Sequence, residues 1–149
     1  MNIYRYILFF FGTIGLLDSG YLYWARITGS DLSCSILEGC NQVAQSPYSV
    51  MFGVPLSLWG VLFYTFIIGA TLLLIGEERT VVRRLLLFAS IFGFLSSIYF
   101  VYVQASLIGA FCMYCIISAV SSTILFVTML FYMRAIGLGK HLENSLESV

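Results

Sequence analysis

Four cysteines stand in a chain of 149 residues that is 60% hydrophobic. Cys112 and Cys115 form a C-x-x-C at the start of an apolar run. Cys34 and Cys40 lie in a more polar stretch, separated by five residues that include Gly39. A thiolate is the nucleophile of thiol–disulfide exchange. Unpaired N–H groups and the helix dipole stabilise a thiolate at a helix start. A C-x-x-C that opens a helix therefore points to redox chemistry. Its two sulfurs share one face, with Cys115 roughly 4.5 Å further along the axis. The spacing of Cys34 and Cys40 permits a loop disulfide. Four thiols make two pairs with none left over.

Plainer readings stand beside this one. Free cysteine packs as a small hydrophobe. The loop pair could be a static staple, or all four thiolates could hold zinc as a Cys₄ site. Zinc is disfavoured because one pair starts at the bilayer and the site faces an oxidising space. No metal is expected. If both pairs are redox-active, exchange chemistry sets an order. An external thiol attacks the loop disulfide. The freed loop thiolate then attacks Cys112–Cys115. Cys115 passes two electrons to a lipid-soluble acceptor, for which a quinone is the favoured class.

The elements that must position these thiols are membrane helices. Only 9% of the residues are charged, against roughly 25% in soluble domains. Four apolar runs, at about 4–24, 55–75, 85–107 and 112–133, each approach the roughly 20 residues that cross a bilayer. The first run begins with Arg5 but lacks a small-x-small cleavage site. It ends in Tyr21, Tyr23 and Trp24, as an anchored, retained helix would. The expected fold is an all-α membrane protein with a single domain over 1–149, a four-transmembrane-helix bundle capped by an outer loop at about 25–54. A short amphipathic helix is expected in that loop, over about 46–54, and Pro55 suits the first turn of the second span. The polar tail after about residue 139 is expected to fray. A net charge of zero offers no electrostatic footprint for nucleic acid.

Charge sets an orientation. Arg5, Arg79, Arg83, Arg84, Arg134 and Lys140 fall on one side of a four-span bundle, and Arg26 alone on the other. The positive-inside rule puts both termini in the cytoplasm. All four cysteines then face the periplasm or an equivalent lumen, where disulfides persist. A bacterial plasma membrane is favoured.

Other polar residues carry weaker signals. Asp18 lies inside the first span, as a functional carboxylate or as a protonated one hydrogen-bonded within the bundle. Gln104 and Ser106 read as interfacial. Tyr99, Tyr102 and Tyr114 read as a quinone pocket or as an aromatic belt. Glu77 and Glu78 read as a solvated loop. His141 lies in the tail, away from the thiols.

The chain resembles the vitamin K epoxide reductase family in its bacterial form. The matching residues are Cys34-x5-Cys40, Ser46-Pro47-Tyr48-Ser49, Phe52-Gly53-Val54-Pro55-Leu56-Ser57-Leu58-Trp59-Gly60 and Phe111-Cys112-Met113-Tyr114-Cys115. The order, loop pair before helix pair, is also the family's. The bacterial four-helix disulfide oxidase that also uses quinone has the reverse order. The resemblance implies a quinone (ubiquinone, menaquinone or similar) held near the outer surface and a thioredoxin-like thiol protein as electron donor on that side. It implies that Cys112 and Cys115 are the active-site pair, with Cys115 next to the quinone. Cys34 would meet the donor, and Cys40 would bridge to Cys112. The residues expected around the quinone are Cys115, Ser46, Phe52, Leu56, Trp59, Phe111, Tyr114 and Ala119. Animal members hold the vitamin head group with an Asn and a Tyr, and the aligned positions here are Leu56 and Ala119. The implied reaction is thus plain quinone reduction linked to disulfide formation outside the cytoplasm. Vitamin K epoxide reduction and a non-catalytic cysteine cluster are the alternatives. Many bacterial members carry a fused thioredoxin-like domain. This chain is expected to use a separate partner.

Overall fold

The computed structural model describes residues 2–32, 39–76 and 79–147, with side chains described through residue 137. Cys34, Glu77 and Glu78 lie outside the described residues, as does the side chain of His141. The first helix, α1, is Asn2–Thr28, and a short helix, α2, is Cys40–Gln45. A 3₁₀ turn at Pro47–Ser49 leads into a hairpin of β1, Val50–Met51, and β2, Val54–Pro55. Three long helices follow: α3, Leu56–Gly76, α4, Thr80–Val103, and α5, Met113–Glu147. Among the described residues, four segments are long and apolar enough to cross a membrane: Ile3–Thr28, Leu56–Gly76, Thr80–Ile108 and Met113–Gly137. The chain is a multi-pass membrane protein.

Helix α1 packs against α3 and α5, and α4 packs against α3 and α5. Leu8, Tyr64, Ile67, Leu74, Leu86, Leu125, Met129 and Tyr132 fill the centre. Large apolar side chains such as Phe10, Leu17, Phe88 and Leu95 point outward, as expected where the solvent is lipid. Polar side chains inside must be satisfied within the bundle. The Ser97 and Ser122 hydroxyls meet at 2.6 Å between α4 and α5. Tyr64 Oη donates to the Ser118 carbonyl at 2.9 Å, and Thr71 Oγ1 to the Ile67 carbonyl at 2.7 Å.

The cap differs in detail from the sequence expectation. Its short helix lies at Cys40–Gln45, while the stretch over 46–54 is a 3₁₀ turn and a hairpin. The reason is local. Phe52 and Gly53 both have positive φ, 55° and 77°, the geometry of a two-residue hairpin turn that matches strand twist. It pairs Met51 with Val54 and Val50 with Pro55. The tail expected to fray beyond residue 139 continues as helix to Glu147.

A left-handed Phe52 costs roughly 1–2 kcal/mol, and Asn tolerates that conformation better. Phe52→Asn is therefore expected to slow hydrogen exchange across the hairpin several-fold, as followed by mass spectrometry. Faster exchange would contradict the turn geometry.

Candidate functional site

The start of α5 is where the chemistry concentrates. A helix leaves its first N–H groups without intrahelical partners. Cys112 stands immediately before α5, and its Sγ accepts hydrogen bonds from the N–H groups of Tyr114 and Cys115. The Cys115 thiol hydrogen-bonds the same sulfur. Cys112 thus caps the helix with sulfur where Ser or Asp would use oxygen. Three donors converge on one thiol, which is how a protein favours a thiolate. Cys112 and Cys115 are free thiols, and Cys40 is disulfide-bonded.

Gln104 completes the cap. Helix α4 runs on into a π-helical turn at Gln104–Ile108. That turn widens the backbone and carries the Gln104 side chain inward, where it is only 3% exposed. Its Oε1 accepts the Cys112 N–H at 2.9 Å. The sequence reads Gln104 as interfacial, near the end of its span, and the structure adds that its side chain is buried within the protein. A polar residue next to a span end reads as interfacial unless the π-turn is known. Tyr99 and Tyr102, considered above for a quinone pocket, are 55% and 61% exposed and face away from the cavity described below.

The cap brings Cys40 to the same place. Cys40 and Cys112, each 1% exposed, share a buried cluster with Ala25, Leu32 and Val43, and Cys115 packs against it. Gly39 explains the close approach. A Cβ there would lie 2.8 Å from both the Ala110 Cβ and the Phe111 carbonyl oxygen. Arg26 fastens the cap, donating to the Ala44 carbonyl and to Ser49 Oγ, both at 2.9 Å. Ser46 Oγ donates to the Val43 carbonyl at 2.7 Å, and Asn41 Oδ1 accepts the Leu32 N–H at 2.9 Å. Arg26 was legible only as the lone cation on its side of the bundle. Its role as a clamp was not.

A cavity of about 650 Å³ opens beneath the cap. Cys112 and Cys115 line it, as do Ser46, Phe52, Leu56, Trp59 and Ala119. Phe111 and Tyr114 do not. Tyr114 instead packs on Tyr21, ring centroids 5.1 Å apart, tying α5 to α1. Phe52, 90% exposed, sits on the hairpin turn. Asp18, Tyr64, Gln104 and Ser118 add polar groups to a wall that is otherwise largely apolar. Its volume and character suit a flat organic molecule with a few polar atoms. Cys34 lies outside the described residues.

The profile described as "Vitamin K epoxide reductase family" matches residues 6–130. The chain is also 37% identical over 119 residues to Thiol-disulfide oxidoreductase LTO1 of Arabidopsis thaliana. That match covers 74% of this chain and 32% of the relative, so the chain spans about a third of the relative's length.

Replacing Gln104 by Leu would leave the Cys112 N–H buried without its acceptor, a loss of about 1–3 kcal/mol. Thermal unfolding in detergent should show a lower Tm for Gln104→Leu. An unchanged Tm would mean that the amide finds another partner.

Proposed function

This chain belongs to the vitamin K epoxide reductase family, and on that premise we propose that it is a membrane thiol–disulfide oxidoreductase that oxidises a thioredoxin-like thiol protein and reduces a quinone. The observation that carries the proposal is one juxtaposition. Cys40 and Cys112 share a buried cluster against which Cys115 packs, and the helix pair also lines an apolar cavity large enough for a quinone head group.

The residues divide the work. Cys34 receives electrons from the donor and Cys40 relays them to Cys112. The Cys112 sulfur, held by the start of α5, is the one within reach of the cap. Cys115, one helical turn deeper, faces the electron acceptor. Leu56 and Ala119 present apolar groups to the cavity. This suits a plain quinone better than an epoxide, which needs hydrogen-bond donors to hold its oxygen. Ser46, Phe52 and Trp59 also line the cavity. The distribution of Arg and Lys supports an orientation with the termini in the cytoplasm and the cysteines on the opposite side, for which the periplasmic face of a bacterial plasma membrane is the favoured setting. Disulfide formation in exported proteins would then be the output.

Two variants test the assignment in purified protein. Cys115→Ala should abolish quinone reduction by any thiol donor. Cys34→Ala should block turnover with a protein thiol yet retain activity with a small permeant dithiol. Equal loss of Cys34→Ala activity with both donors would contradict the order of the relay.

A further inference from the structure

Asp18 has no part in the relay just described. It lies within the first spanning helix, is 8% exposed, and its Oδ2 is buried with no hydrogen-bond partner among the described residues. A carboxyl retained for structure inside a membrane finds donors or a cation. Asp18 instead lines the cavity that Cys112 and Cys115 line.

The groups acting on it are few. Tyr64 of α3, Cys112 just before α5 and Cys115 within it line the same cavity, and Tyr114 is their neighbour in α5. Tyr64 is committed to Ser118. Arg26, two turns along the same helix, is directed to the cap. Asp18 therefore faces a dithiol across an apolar space. A carboxylate and a thiolate there repel each other, so a single negative charge is favoured over two. Passing a proton from a thiol to Asp18 moves that charge and adds none.

Building on the thiol–quinone reading, we propose that Asp18 is the proton carrier of this site, taking a thiol proton from the Cys112–Cys115 pair and delivering it to a quinone oxygen. The step balances. Two S–H bonds break and one S–S bond forms between Cys112 and Cys115. Two electrons and two protons leave the pair and convert quinone to hydroquinone. One proton travels through the Asp18 carboxyl and the other comes from the second thiol. Asp18 ends as it began. A positioned acid–base group contributes typically about 10²–10⁴-fold.

The test compares the full-length purified protein with Asp18→Asn and Asp18→Glu, using dithiothreitol as donor and a soluble short-chain quinone as acceptor. Asp18→Asn should lower kcat about 10²-fold and leave the quinone KM within about threefold, while Asp18→Glu restores most of the rate. A second readout needs no quinone. Alkylation of Cys112, resolved by peptide mass spectrometry, should reach its midpoint at lower pH in Asp18→Asn, by about one unit, because a repelling charge has gone. More thiolate together with slower turnover marks a proton carrier and is not the signature of a packing residue. A kcat within about threefold of wild type, a rate loss matched by a rise in KM, or an unmoved alkylation midpoint would overturn the proposal. If Asp18→Asn fails to accumulate, Asp18→Ser with added formate replaces it. Formate, unlike chloride, should raise the rate about tenfold, and no rescue would overturn the proposal. Wild-type protein that reduces no quinone would instead defeat the underlying reading, and this inference with it.

Discussion

A helix that begins inside an apolar bundle has N–H groups that must find acceptors, because neither water nor lipid supplies them there. At the start of α5 the acceptor is the sulfur of Cys112. Much of the site follows from that constraint. The Cys112 backbone N–H needs an acceptor of its own, and Gln104 provides one. Gln104 reaches it because α4 ends in a π-turn. Cys115 falls one turn further in, with its thiol hydrogen-bonded to the same sulfur. The interaction that satisfies the helix end also favours a thiolate.

The cap is organised around the same point. Gly39 lets the chain lie against the Ala110–Phe111 backbone, which seats Cys40 in the cluster that holds Cys112. Arg26, Ser46 and Ser49 tie the rest of the cap to α1 and to itself. These bonds lie at the cap end of the cavity. The loop thus roofs the apolar chamber, and it brings one member of the loop cysteine pair to the helix pair.

How much of this was legible in the sequence depended on the scale of the signal. Four long apolar runs announced four spans, because bilayer thickness fixes their length. The C-x-x-C and its place at a helix start were equally plain, since both are local. Pro55 marked the start of α3 to within a residue. The cap's secondary structure was harder. The stretch over 46–54 is apolar enough to suggest an amphipathic helix, yet Phe52-Gly53 takes a turn that only a glycine-containing pair accommodates readily, and the helix formed upstream. The burial of Gln104 was not legible because its environment depends on a π-turn and on an amide eight residues away, neither of which periodicity reveals. Arg26 and Asp18 were visible as unusual charges. Their surroundings come from packing between helices distant in sequence, which no local pattern encodes.

The claim on which everything rests is that Cys40 meets Cys112. Replacing both Cys34 and Cys115 by serine leaves those two thiols alone in the protein. Oxidising this variant in membranes and sequencing its cross-linked peptides by mass spectrometry tests the claim directly. The account predicts a Cys40–Cys112 disulfide in most molecules, formed rapidly under mild oxidant. Two thiols that stay free, or that link only between separate chains, would contradict it.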